Sequence, residues 1–280
     1  MFIIGERING MFRAVAQAIA ERDAEAIADL ARRQVEAGAQ ALDINTGPTE
    51  GDPVEVMRWL VETVEDAVEV PVCVDSPKAP VLESGLKAAR RPPIINSTTG
   101  AQERLDAQVP LAVEYGASLI GLTIDERGIP RNAEARAEIA LTIIARTMEA
   151  GLPTDRLFLD PIVLPVSAAQ DQCSAALQAI GLFRQLSDPP PNYVVGLSNV
   201  SQGAKDRSLV NRTYLVMAMA MGVNAAIVDP FDRELMAAQR TAGLLLNQEI
   251  YACLLYTSDA ADEYNPVLVG GVGGGGGGGG

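Results

Sequence analysis

Apolar runs of strand length that stop at a polar residue recur along this chain. They are CVDS ending at Asp75–Ser76, IINS at Asn96–Ser97, LFLDP at Asp160, VVGLSN at Ser198–Asn199 and AAIVDP at Asp229. Several are β-branched and apolar on both faces, as parallel strands covered by helices must be. The pattern predicts strands near 2–5, 40–45, 70–75, 93–96, 118–123, 156–160, 193–198 and 224–229. The intervals hold helical patterns. Residues 53–68 place Val54, Met57, Leu60, Val61 and Val64 on one stripe, opened by Pro53, and residues 132–150 repeat Ile139, Ile143, Ile144 and Met148 at helical spacing.

Three segments share one grammar of helix end, glycine, two residues and strand: EAGAQALDI (36–44), EYGASLIGL (114–122) and AMGVNAAIV (220–228). A glycine at a helix C-terminus permits the left-handed turn that sends the chain into the next strand. Eight such units predict a single α/β (β/α)8 TIM barrel, whose chemistry sits at the C-terminal ends of the strands. An open doubly wound sheet fits less well, because no glycine-rich fingerprint follows the first strand.

The 280 residues are 48% hydrophobic, enough for a large core, and the net charge of −14 argues against a nucleic-acid partner. Glu6 and Arg7 interrupt the first apolar run, so no signal peptide is expected. The long uncharged run from Thr213 to Asp229 is broken by Gly222 and Asn224 and reads as a helix followed by a strand, too short to span a bilayer. Cys73, Cys173 and Cys253 show no paired spacing, so neither a disulfide framework nor a zinc site is expected, and a reducing cytoplasm is the expected compartment. The chain has no histidine, so acid–base work falls to Asp, Glu, Lys, Tyr, Cys or the substrate. Residues 253–263, CLLYTSDAADE, resemble a translated sequencing adapter, and a glycine run follows. Residues 1–252 are therefore expected to be the functional domain and 253–280 a disordered artefact tail, whose removal leaves a charge of −11.

Each strand-end residue has a structural explanation. Asp75 and Ser76 precede Pro77 and would cap the next helix; Asp160 precedes Pro161 and would brace a turn; Asn199 would adopt a left-handed backbone. Asp229–Pro230 looks most like a turn and is left out of the site. In GERIN, after the first strand, Glu6 and Arg7 would pair with each other. Taken together, however, Asp75, Asn96, Asp160 and Asn199 end the third, fourth, sixth and seventh strands and converge on one rim. Buried groups of this kind cost roughly 1–3 kcal/mol each if unpartnered, which favours a ligand. A pterin would suit them: one carboxylate accepts two adjacent N–H donors, and an amide serves the mixed edge. Phosphate is a poor fit, since only Lys205 and Arg207 lie near. With amides as the remaining neighbours, no protein-bound metal is expected at Asp75 and Asp160.

The chain resembles the methyltetrahydrofolate:corrinoid/iron–sulfur protein methyltransferases, within the wider dihydropteroate-synthase-like pterin-binding group. The resemblance runs from Met1 to about Tyr251 and rests on IIGERING at 3–10, LDIN at 42–45, CVDS at 73–76, INST at 96–99, GLT at 121–123, LDP at 159–161, GLSNVSQ at 196–202 and NRTYLVMAMAMG at 211–222. It implies that Asp75, Asn96 and Asp160 hold the pterin, with Ser198, Asn199 and Gln202 lining the side near the methyl-bearing nitrogen. It also implies methyl transfer from 5-methyltetrahydrofolate to the Co(I) centre of a corrinoid (iron–sulfur) protein, and a homodimer. Asn199, Asp75 and Asp160 are the implied catalytic residues, since the departing ring nitrogen must gain a proton. The glutamate tail of the folate would run outward past Lys205 and Arg207. Dihydropteroate synthases carry a Ser-x-Lys-type motif after the seventh strand where this chain has GLSNVSQ, a departure that favours methyl transfer over pterin synthesis. The alternatives are a dihydropteroate-synthase-like transferase, a folate-presenting module of a larger assembly, and a corrinoid pathway run towards tetrahydrofolate. That Met1 begins on the first strand speaks against an N-terminal fusion; a C-terminal one stays open.

Overall fold

The structure is a computed structural model that describes residues 1–49 and 51–248; the expected tail, 253–280, lies outside the described residues. Eight parallel strands close into a barrel in sequence order: β1 (Phe2–Asn9), β2 (Ala41–Asn45), β3 (Val72–Asp75), β4 (Ile94–Thr99), β5 (Ser118–Leu122), β6 (Leu157–Asp160), β7 (Asn192–Gly196) and β8 (Ala225–Val228). The helices are α1 (Arg13–Glu21), α2 (Ala24–Glu36), α3 (Pro53–Ala67), α4 (Ala79–Ala88), α5 (Gln102–Glu114), α6 (Ala133–Glu149), α7 (Gln170–Phe183), α8 (Arg207–Met221) and α9 (Arg233–Leu245). Among the described residues only the first unit carries two α-helices. No described helix is long and apolar enough to cross a membrane.

The local chemistry follows the sequence signals. Asp52, Asn132, Asp206 and Asp232 accept backbone N–H groups at the starts of α3, α6, α8 and α9. The three repeat glycines, Gly38, Gly116 and Gly222, all have positive φ, as the shared grammar requires. The expected first strand was too short. β1 runs through GERIN to Asn9, pairing with β2 on both sides of a register shift between Gly5 and Ile8. A bulge of this kind lets a strand continue while re-aiming the side chains at the irregularity.

Two apolar layers result. The larger lies between the strands and the helices, and its stripe on α3 is Val56, Met57, Leu60, Val61 and Val64. The smaller fills the barrel, where Ile4, Cys73, Ile94, Ile120 and Val194 meet and Phe2 contacts Phe158 with ring centroids 6.2 Å apart. Side chains alternate along a strand, so the barrel-facing residue two positions beyond each of these faces the same way. Those positions are Glu6 after Ile4, Asp75 after Cys73, Asn96 after Ile94, Asp160 after Phe158 and Gly196 after Val194, while Leu122 after Ile120 stays apolar. On β1, β3, β4 and β6 the interior thus changes from apolar to polar in a single pleat.

Gly222→Ala tests the turn chemistry. At φ +116° the new Cβ would also sit 3.0 Å from the Arg184 side chain. The expected loss is at least about 1–2 kcal/mol in denaturant unfolding, against near-neutral behaviour at an exposed helical site.

Candidate functional site

Strand register places the polar residues. Across the first four strands Asn9 pairs with Asn45, Asn45 with Asp75, and Asp75 with Asn96, one row along the mouth of the barrel. Asn45 Nδ2 donates to Asp75 Oδ2 at 2.6 Å, and Asn96 Nδ2 donates to Asp43 Oδ1 at 3.0 Å. A carboxylate accepts only from the NH2 end of an amide, so the carbonyl of each asparagine faces away from its acid. That of Asn45 accepts the Gly47 N–H at 2.7 Å, whereas that of Asn96 has no partner among the described residues.

Asp43 and Asn45 are absent from the expected set. Both lie in LDIN, at alternate positions of β2, where an apolar run is interrupted by an acid. That interruption is the same signal that marked the other strands, one turn of the pleat earlier. Asp43 is 3% exposed; burial, and then the neighbouring Asp75 charge, push its pKa well up, and burial raises that of Asp75. Asp75 does not cap a helix. Lys78 occupies that position before α4, and its N–H donates to Ser76 Oγ at 3.2 Å.

Asp160 ends β6 and does brace a turn. Its Oδ1 accepts the Ile162 N–H at 2.7 Å and its Oδ2 the Gly196 N–H at 3.3 Å, while Thr123 donates through both N and Oγ1 to its main-chain oxygen. Ile162 has φ +61°, a costly conformation for a β-branched residue, of order 1–3 kcal/mol, held here beside the carboxylate. Burial raises the Asp160 pKa to about 6 against the two backbone N–H groups and the charge of the buried Arg136, which lower it.

Asn199 sits in a 3₁₀ turn, Leu197–Asn199, after β7, and its backbone is not left-handed. Its amide is exposed, has no hydrogen-bond partner among the described residues, and packs where a Cβ on Gly196 would come within 3.2 Å of Nδ2. Ser198 Oγ donates to Glu6 Oε1 at 2.5 Å. Gln202 is exposed on the following turn, and no hydrogen bond from its side chain is found among the described residues. The expected Glu6–Arg7 pair is replaced. Arg7 reaches across the barrel seam to Asp229 at 3.1 Å and lies over the Phe12 ring at 4.2 Å, leaving Glu6 to Ser198. Asp229 also takes the Phe231 N–H at 3.0 Å, so its turn role stands with the ion pair added. Arg207 turns inward, giving Nε to Ser201 Oγ at 3.1 Å and Nη2 to the Ser198 carbonyl at 3.2 Å, while Lys205 is exposed.

A cleft of about 430 Å³ opens against this row, bounded by Asn45, Asp75, Ser76, Met11, Pro48 and Lys78. Its narrowness has a backbone cause: the loops after β1 and β2 cross at Gly10 and Gly47, where a Cβ on Gly10 would lie 2.1 Å from the Thr46 carbonyl oxygen. Among the described residues no group of three or more potential metal-ligating side chains gathers. The arrangement offers carboxylates and amide carbonyls to a ligand's N–H groups, with Lys78 at the cleft edge.

The sequence pattern of the family described as pterin binding enzyme matches residues 11–229. The chain is 31% identical over 251 residues to a methylcorrinoid:tetrahydrofolate methyltransferase of Eubacterium limosum, covering 89% of this chain and 92% of that protein. It is 28% identical over 240 residues to methionine synthase of Mycobacterium tuberculosis, covering 81% of this chain but 20% of that protein, about a fifth of its length. Two solved structures of Yersinia pestis dihydropteroate synthase, one holding a pterine–sulfa conjugate, superpose with TM-score 0.63 at 19% and 17% identity; they cover 88% of this chain and 93% and 94% of theirs. At that identity the likeness concerns the fold.

Asp160→Asn tests the buried acid. A folded-state pKa of about 6 against 3.8 means that stability present at low pH is lost as pH rises through that window, by about 3 kcal/mol. The variant should therefore gain on the wild type by up to that amount between pH 4 and 7 in urea unfolding. Parallel stability profiles would contradict the assignment.

Proposed function

The chain belongs to the pterin binding enzyme family, and on that premise we propose that it transfers a methyl group between N5 of tetrahydrofolate and the cobalt of a corrinoid carried by a partner protein. The observation that carries this reading is the 31% identity over 92% of the length of a methylcorrinoid:tetrahydrofolate methyltransferase. The loop after β7 supports it against pterin synthesis, because it reads GLSNVSQ where dihydropteroate synthases carry a Ser-x-Lys-type motif, and Arg207 at the start of α8 gives Nε and Nη2 to Ser201 and Ser198.

In this reading Asp75, Asn96 and Asp160 hold the pterin. The ionised Asp160 accepts two ring N–H groups, and the free Asn96 carbonyl takes a third. Ser198, Asn199 and Gln202 border the reacting side. Written towards the corrinoid, the methyl group leaves N5 as a cation equivalent for the reduced cobalt, and N5 takes up one proton. A tertiary amine is a poor leaving group until that proton is shared. The enzyme's work is therefore alignment plus stabilisation of the developing N–H⁺. The uncommitted Asn199 carbonyl accepts that hydrogen bond. Asp75, whose raised pKa lets it carry a proton above the usual carboxylate range, supplies that proton, and the ionised Asp160 supplies the electrostatic compensation. The reverse direction, from methylcorrinoid to tetrahydrofolate, uses the same transition state and the same groups; supply of the two substrates selects between them.

We place residues 1–252 in this single functional unit, acting in the cytoplasm as a homodimer with a corrinoid iron–sulfur protein as partner and no protein-bound metal of its own. Exposed Leu209, Val216 and Met217 on α8 are apolar surface that pairing of two copies would cover.

Single-turnover methyl transfer to reduced cobalamin, followed by cobalt absorbance, tests the reading together with calorimetry of pterin binding. Asn199→Ala should slow transfer by roughly 10²-fold or more while changing the Kd for methyltetrahydrofolate only a few-fold. Equal losses would make Asn199 a plain ligand. Asp160→Ala should instead weaken binding by about 10–100-fold, as expected for a buried partner left unpaired. Undiminished affinity would remove it from the site.

A further inference from the structure

We propose, building on the methyl-transfer reading, that Glu6 is a positioning residue for Asn199, clamping through Ser198 the turn that presents the Asn199 amide. The side chain of Asn199 has no hydrogen bond of its own among the described residues, so its place depends on the main chain of Leu197–Asn199. That turn is held from two sides. Outside, the Ser198 carbonyl accepts Arg207 Nη2 at 3.2 Å and Ser201 Oγ at 3.3 Å. Inside, Ser198 Oγ donates to Glu6 Oε1 at 2.5 Å, joining β1 to the loop after β7 across 192 residues of sequence.

A hydroxyl bound to an ionised carboxylate is shorter and roughly twice as strong as a neutral pair, so the charge at Glu6 stiffens the turn. Keeping that charge is costly, because burial pushes the Glu6 pKa up, and Asp229 pushes it further. Asp43 is a second acid within its field, while Arg7 and Arg207 lower it. Neither arginine binds it: Arg7 is paired with Asp229, and Arg207 is on the Ser198 carbonyl. A glutamine would fill the same space without the desolvation cost. The acid is explained by the bond it makes to Ser198, one residue before the amide that needs fixing.

The test uses the full chain with Glu6→Gln, Ser198→Ala and the double variant, read by single-turnover methyl transfer to reduced cobalamin, by calorimetric Kd for methyltetrahydrofolate, and by amide hydrogen exchange over residues 197–200. Each single change should slow transfer roughly 10–100-fold, leave Kd within about threefold, and accelerate exchange of the turn roughly tenfold. The double variant should be no slower than the worse single one, since both remove one bond. Additive losses, parallel losses of rate and affinity, or wild-type exchange in a folded Ser198→Ala protein would each overturn the proposal. If the wild type itself binds pterin but transfers no methyl group, the methyl-transfer reading fails alone, and the exchange data still decide the clamp.

Discussion

Closure of the sheet is the constraint from which the site follows. β1 is hydrogen-bonded to both β2 and β8, so the chain has no free sheet edge and every strand has a fixed neighbour and register. With eight strands the interior is just wide enough for side chains to fill. Here they fill it with Ile, Val, Cys and Phe up to one level, and then the pleat turns polar. A one-residue slip in any strand would send its rim residue into the layer beneath the helices and an aliphatic side chain into the mouth. The row Asn9, Asn45, Asp75, Asn96 exists because three registers agree.

What the barrel mouth then confronts is the desolvation of carboxylates. Glu6, Asp43, Asp75 and Asp160 are buried or nearly so, and all four have pKa values raised by burial as the largest cause. Among the described residues none of these four forms an ion pair, and Arg7 is paired with Asp229 at the edge of the group. Instead the acids are met by amides, a hydroxyl and backbone N–H groups, which offset part of the cost, while burial still holds all four carboxyl pKa values above their usual range. In a chain without histidine that is the chemically useful outcome: proton capacity comes from acids made weaker by their surroundings rather than from an imidazole. The same choice explains why the mouth presents acceptors and suits a ligand rich in N–H donors.

The two halves of the rim differ in how firmly they are held. On the β2–β4 side, amides and acids are tied to each other and the backbone loops cross at Gly10 and Gly47 with no room for a side chain. On the β7 side the Asn199 amide stands free on a short turn, with Glu6 and Arg207 gripping the residue before it. Under the proposed methyl transfer, a rigid wall facing a separately supported amide would suit a reaction in which one substrate is gripped while a second approaches in line.

Much of this was legible without coordinates. Strands buried on both faces show as apolar runs, and their polar ends mark the rim, so the eight units, the three glycine turns and the set Asp75, Asn96, Asp160 and Asn199 could be read from residue type and spacing. Such signals are local: they depend on which side chain follows which within a few residues. The pairing across the barrel was not local. Nothing in GERIN says that Arg7 would choose Asp229 and Glu6 would choose Ser198, because adjacent residues on a bulged strand face different neighbours, and those neighbours arrive from the far end of the chain. Asp43 was hidden for a related reason. An acid inside a strand looks like an interruption until the curvature of the barrel brings Asn96 of β4 within reach of it across β3 and closure removes the water. Sequence decided which residues reach the mouth; closure of the sheet decided which partners they meet there and how strongly burial holds their protons.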